Sequence, residues 1–171
     1  MQKRHIKFSS VGNILDPRKL FKTKRVIRRI LIHCSATLTH HPVIGAKTMD
    51  LWHQQRWGSG LAYHYVVRQD GTLEKGRWVD FIGASAKDNN LDTIAICYSG
   101  GMKRNENGKL VPNMNALTNA QRDTLLKTVR TLQKMYDVED KYVLGHNELA
   151  NVAKACPCMT MDDFRADLRG N

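Results

Sequence analysis

The sequence lacks any apolar stretch near the ~20 residues a helix needs to cross a bilayer, which excludes a helical membrane protein. No secretory leader is expected either. The start, Met1-Gln-Lys-Arg-His5, is basic, but no apolar core of roughly 7–15 residues follows it. The best apolar run, Ile30-Leu-Ile32, is short and preceded by two arginines. Cytoplasmic synthesis without a signal peptide is the expectation. The four cysteines do not form the pattern of a disulfide-stapled secreted domain. Cys34 and Cys97 lie in apolar, strand-like runs and read as reduced core thiols. Cys156 and Cys158, separated only by Pro157, are too close for an easy unstrained bridge. No internal repeat is visible, so 171 residues predict one domain that can bury its own core.

Acidic residues are scarce at one end. Residues 1–29 hold ten Lys or Arg and a single acid, Asp16, so +9 of the net +11 sits there. A charge run of this kind is usually a solvated face. It also suits an anionic partner such as wall polymer, nucleic acid or a membrane surface. Residues 1–24 read as a basic N-terminal extension with a short ordered piece around Ile14 to Phe21. Residues 25–171 read as the folded domain.

Within the domain, Arg25 to His33 reads as a strand rich in Val and Ile. Residues 47–57 read as a helix with Met49, Leu51, Trp52 and Trp57 as its apolar positions. Ala62 to Arg68 is a second strand, joined through the Asp70-Gly71 turn to a short strand ending by Arg77. Thr93 to Ser99 is a buried strand. The polar, Asn-rich stretch 102–117 reads as a surface loop. Thr118 and Gln121 then fit a capping box, followed by Leu125, Val129, Leu132 and Tyr136 at helical spacing. Lys141 to Gly145 is a further strand, and 160–169 a terminal helix. Strands interleaved with helices, plus one hairpin, predict an α/β fold with a central mixed β-sheet flanked by helices.

Two histidines fall where predicted strands end, His33 after Ile30-Leu-Ile32 and His146 after Val143-Leu-Gly145. A strand end is fixed by its sheet and open to loops, so it suits a site. Cys156 lies ten residues past His146, and Pro157 biases it toward an extended backbone. Two imidazoles and one thiolate leave the fourth position of a tetrahedral zinc ion open, the pattern of a catalytic rather than a structural site. Spacing alone leaves rivals. Cys158 competes with Cys156 as the sulfur ligand, and Asp162 and Asp163 are weaker alternatives.

Ile32-His-Cys-Ser-Ala-Thr37, Trp52-His53, Tyr63-His-Tyr-Val-Val-Arg-Gln-Asp-Gly-Thr72, Gly145-His146 and Lys154-Ala-Cys-Pro-Cys158 follow one another in that order. Together they resemble the type 2 N-acetylmuramoyl-L-alanine amidase family, in the manner of its T7 lysozyme-like phage endolysins. Peptidoglycan recognition proteins share that fold. The likeness runs from residue 26 to near residue 168. It implies hydrolysis of the amide between N-acetylmuramic acid and the L-alanine of the stem peptide. It implies one zinc ion per chain on His33, His146 and Cys156, with Tyr63 and Lys154 at the two catalytic positions. The physical chemistry suits those roles. Zinc lowers the pKa of a coordinated water from ~15.7 toward ~7. A thiolate ligand donates more charge than an imidazole, so a developing oxyanion needs further help. A Lys ammonium and a Tyr hydroxyl can supply it, each donor typically worth ~3 kcal/mol in the transition state.

One departure concerns substrate. Where the phage amidases often carry a histidine before the TIAICY-like strand, this chain has Ser85, while Asn90 is retained. That region lines the family's substrate groove, which makes Ser85 and Asn90 candidate hydrogen-bonding residues toward muropeptide. His64 alternates with Tyr63 and reads as structural. His53 reads as packing or as support for the site, and His5, His40 and His41 carry no assignment. The resemblance implies a monomer, cytoplasmic when made, that acts on peptidoglycan after release at lysis. Two other readings stand beside it. One is a non-catalytic muropeptide-binding module, against which the presence of Cys156 argues. The other adds an RNA polymerase- or nucleic-acid-binding role through the basic N-terminus.

Overall fold

The structure is a computed structural model that describes residues 11–39 and 44–170. Strands β1 (Arg29–Cys34), β3 (Tyr65–Val67), β4 (Leu73–Lys75), β5 (Thr93–Tyr98) and β8 (Val143–Gly145) form one sheet in the order β4-β3-β5-β1-β8. All neighbours are parallel except β3 and β4, the hairpin closed by the Asp-Gly turn. Gly71 takes φ +83 in that turn, where an added Cβ would also strike the Ala120 backbone. Strands β2 (Thr37–Leu38), β6 (Gly101–Arg104) and β7 (Leu110–Pro112) form a second, three-stranded sheet. The helices are α1 (Ala46–Trp57), α2 (Asn119–Tyr136) and α3 (Met161–Arg169). This is the expected α/β domain, and it carries a second, smaller sheet.

Alternation along the strands sorts the two faces of the main sheet. Ile30, Ile32 and Cys34 of β1 join Ile94, Ile96 and Tyr98 of β5 in the larger core, beneath Leu125, Val129 and Leu132 of α2 and Phe164 of α3. Leu31, Val66 and Cys97 take the opposite face, where Ala46 and Met49 of α1 pack with Val66 and Cys97. His33 occupies that second face as well, because it follows Leu31 by two. The α2 capping box is formed as expected. Thr118 accepts from the Gln121 N–H at 3.1 Å and Gln121 accepts from the Thr118 N–H at 3.1 Å. Gln121 also donates to the Ser99 carbonyl at 2.8 Å, which pins the helix start to the end of β5.

Five expectations need correction. The first strand begins at Arg29, not Arg25. The Arg25 guanidinium instead turns inward and donates to the carbonyls of Val79, Phe81, Asn90, Leu91 and Thr93, tying two loops to the sheet. The second strand covers only Tyr65–Val67, and residues 140–142 before β8 form a 3-10 turn. Within 102–117, Gly101–Arg104 and Leu110–Pro112 pair as a hairpin around Asn105 and Gly108. In α1 only Ala46 and Met49 are buried, while Leu51, Trp52 and Trp57 are exposed. The N-terminus of α1 has no cap of its own; Glu74 of β4 accepts the Ala46 N–H at 2.6 Å.

Residues 11–24 lie against the free edge of β4. Gly12 donates to the Lys75 carbonyl, Lys75 to that of Asn13, and Leu15 to that of Leu73. Leu20 is buried in the larger core. A covered edge cannot recruit a second chain by strand pairing. The remainder of the basic segment, residues 1–10, lies outside the described residues, as do His5, His40 and His41. Among the described residues no helix is long and apolar enough to cross a membrane.

His64 is structural, as its alternation with Tyr63 predicts. It is buried; its Nδ1 accepts the Ala95 N–H at 2.9 Å and its Nε2 lies 3.0 Å from the Phe81 carbonyl. A second proton would break the Ala95 bond, and burial pushes the imidazole down to about 4. Between roughly 6.5, the unfolded value, and 4 the unfolded chain takes a proton that the native ring refuses. Stability therefore falls as pH drops through that window, by about 3 kcal/mol in full. Urea midpoints at pH 7 and pH 4.5 are expected to show this loss, and the His64→Asn variant to show a smaller one. Equal losses in both proteins would remove His64 as the cause.

Candidate metal centre

The register of the sheet builds the site. The last bridged pair of β1 and β8 is Ile32 with Gly145, so His33 and His146 emerge side by side at the carboxyl ends of two parallel strands. Ligands of open α/β sheets bind outside such ends. The two imidazole centroids are 4.6 Å apart. The chain after β8 turns through His146–Glu148, and Glu148 accepts the Gly145 N–H at 2.8 Å while pairing with Arg165 of α3. Asn147 donates to the Cys156 carbonyl at 2.8 Å, which ties the two ligand-bearing loops together. From the other side, Tyr98 donates to the Pro157 carbonyl at 2.5 Å.

The Cys156 sulfur lies 3.7 Å from Nδ1 of His33 and 3.3 Å from the Cys34 N–H that donates to it. One ligand atom each from His33, His146 and Cys156 falls within 4.8 Å of the others, so the three form a candidate metal site. Ligands of a tetrahedral zinc stand roughly 3–4 Å apart at bond lengths of ~2.0–2.3 Å, so only a small inward adjustment separates this set from coordination. His33 supplies a further observation: Nε2 is buried and has no hydrogen-bond partner. An orphaned buried nitrogen calls for an explanation, and a cation between the three side chains provides one. Burial, helped by His146 and then Lys154, holds His33 well below the usual imidazole range. Burial and Lys154 lower His146 too. Both rings are thus neutral near pH 7, the form that binds a metal.

The rivals lie elsewhere. The Cys158 sulfur sits in the larger core, 3.7 Å from that of Cys34. Asp162 is on the surface of α3, 2.7 Å from Arg165, and Asp163 is exposed there too.

A cleft of about 400 Å³ opens over the three residues. Tyr63, Lys154 and Ser85 line it. The Tyr63 ring is 5.1 Å from His33, and burial raises its hydroxyl well above the usual phenol range, so it stays protonated as a donor. Ser85 also borders an adjoining cleft of about 590 Å³ that reaches from Lys87 to Lys154. Asn90 does not line either of these clefts. Its Oδ1 accepts the backbone N–H groups of Ser85 and Ala86, each at 3.0 Å, and so it fixes the loop that presents Ser85. His53 supports the wall: Nδ1 accepts the Ala62 N–H at 3.0 Å and the ring packs at a tilt against that of Tyr63. Trp52, Arg56 and Trp57 complete the wall. Reading Trp52 and Trp57 only as apolar positions of the helix does not identify them as cleft wall.

Gly145 is tightly enclosed. A Cβ there would lie 2.6 Å from Asn147 Oδ1 and 2.8 Å from both Met161 and Pro157. Gly145→Ala is expected to cost about 1–3 kcal/mol by overpacking. It should also loosen the metal, because Asn147 and Pro157 adjoin His146 and Cys156. Thermal unfolding and metal content read both effects, and wild-type values in each would refute the packing argument.

Residues 23–159 match the protein family described as N-acetylmuramoyl-L-alanine amidase. The endolysin of Escherichia phage T7 is 34% identical over 137 residues, covering 80% of this chain and 84% of that one. The endolysin of Enterobacteria phage T3 is 33% identical over the same shares. Among solved structures, an endolysin amidase of Clostridium intestinale superposes with a TM-score of 0.69 at 20% identity, covering 97% of this chain and 94% of that one. PGRP-SA of Apis mellifera superposes with a TM-score of 0.61 at 16% identity, covering 90% and 84%. At these identities the structures speak for the fold.

Proposed function

The chain belongs to the N-acetylmuramoyl-L-alanine amidase family, and on that premise we propose that it cuts peptidoglycan as a phage-type endolysin, with one zinc ion held by His33, His146 and Cys156. The observation that carries the metal assignment is the convergence of two neutral imidazoles and one sulfur, with a buried His33 nitrogen left unpartnered. When bound, zinc supplies a Lewis acid and makes hydroxide available near neutral pH. The chain's own residues do the rest. Lys154, on the open side of the cleft, places an ammonium where negative charge grows on the scissile carbonyl oxygen. Tyr63, kept protonated by burial, donates a hydrogen bond to the same region or holds the attacking water in line. Ser85 presents a hydroxyl to the muropeptide, and Asn90 positions the Ser85 loop. The positive segment at the N-terminus suits a polyanionic wall.

Chelation tests the metal. Dialysis against a strong chelator is expected to abolish release of stem peptides from purified wall, and one equivalent of zinc to restore it. An undiminished rate in metal-free protein would refute the assignment. A metal-free protein that binds muropeptide tightly and never cuts it would favour the binding-module reading instead.

A further inference from the structure

The thiols of Cys34 and Cys158 are not among the proposed ligands, yet their sulfurs are 3.7 Å apart, with the Cys34 thiol donating to Cys158. Both side chains are buried. The pair is packed under Gly101, where a Cβ would lie 2.6 Å from the Cys34 sulfur and 3.6 Å from that of Cys158. Each cysteine adjoins a proposed ligand. Cys34 follows His33 and its N–H donates to the Cys156 sulfur. Cys158 ends the turn that begins at Cys156, and its N–H donates to the Ala155 carbonyl at 2.6 Å.

We propose that Cys34 and Cys158 are an oxidative modification site, a vicinal thiol pair that closes to a disulfide and loosens the metal centre. The inference rests on reading Cys156 as a ligand for its consequence, but not for the bridge itself. A disulfide needs its sulfurs at about 2.05 Å, so the two atoms must approach by a little under 2 Å. That movement draws on both ends of the Cys156 anchorage: the Cys34 backbone that donates to the ligand sulfur, and the turn that carries it. The oxidant is a small neutral peroxide, and Cys34 borders the open cleft through which it arrives. Two S–H bonds break, one S–S bond forms, and hydrogen peroxide takes up the two protons and two electrons to leave two waters. Added dithiol reverses the step. Metal-bound Cys156 is spared because its lone pair is engaged.

The test uses zinc-loaded wild type and the Cys158→Ser variant, each treated with hydrogen peroxide, quenched, and digested with trypsin without reduction. Cys34 falls in peptide 30–47, and both Cys156 and Cys158 in peptide 155–165. Fragmentation before Pro157 separates the last two sulfurs. Wild type is expected to lose about 2 Da as two hydrogens, to give a Cys34–Cys158 linkage, and to hold zinc roughly 10–100-fold less tightly in a chelator competition. Dithiothreitol should restore the original mass and retention. Cys158→Ser should keep zinc through the same treatment. A bridge to Cys156, oxygen addition without a bridge, or a Cys34–Cys158 bridge with unchanged zinc retention would each overturn the proposal. The mass shift reads the thiol pair whether or not zinc proves to be the metal, so failure here and failure of the metal reading are distinguishable.

Discussion

Cys156→Ser is expected to strip the protein of its metal and to lower kcat/KM by on the order of 10³-fold or more, while Cys158→Ser keeps both. The two cysteines are nearly adjacent in sequence, but their sulfurs face different environments. That of Cys156 meets His33 beside the cleft. That of Cys158 meets Cys34 in the core. A serine oxygen is harder and far more basic than a thiolate, so it does not replace sulfur as a zinc ligand at neutral pH. The loss exceeds that of a single oxyanion donor, typically 10²–10³, because Lewis acidity and the hydroxide supply vanish together. Metal analysis and wall-release rates on both variants check the prediction. Equal zinc in Cys156→Ser and wild type, or loss only in Cys158→Ser, would reassign the ligand.

Lys154→Ala and Tyr63→Phe are each expected to lower kcat by about 10²-fold with little change in KM, zinc content or melting temperature. Both groups line the cleft beside the proposed ligands, and neither is one. A donor that strengthens its contact only as charge develops acts on kcat rather than on substrate affinity. The double variant should lose less than the product of the single losses if both donors serve one oxygen. A rise in KM with kcat intact would make Lys154 an anchor for an anionic part of the substrate instead. Zinc loss in Tyr63→Phe would give that hydroxyl a part in holding the metal site instead.

Local chemistry was legible in the sequence. The Thr118–Gln121 box, the Asp-Gly hairpin and the buried β5 strand each depend on residues close in the chain, and all are present. Motif order named His33, His146 and Cys156, which the fold brings together. What the chain could not disclose depends on register and on remote partners. His33 stands beside His146 because Ile32 pairs with Gly145, a choice made across more than a hundred residues. The α1 N-terminus is completed by Glu74, which no local cap signal announces. The β6–β7 hairpin escaped because its side chains are mostly exposed on both faces, so no alternation marks it. The aromatic wall of the cleft is not legible because Trp52 and Trp57 read only as apolar helix positions, whereas the fold leaves them exposed at the cleft.

The proposed reaction cuts one amide, the bond joining muramic acid to L-alanine, at a metal held by His33, His146 and Cys156. Labelling new amino termini after digestion of purified peptidoglycan by zinc-loaded protein tests it most directly, with the His33→Ala variant as the comparison. New L-alanine amino termini are expected in step with peptide release, with no new reducing sugar ends and no product from His33→Ala. New reducing ends, amino termini other than L-alanine, or full release by His33→Ala would contradict it.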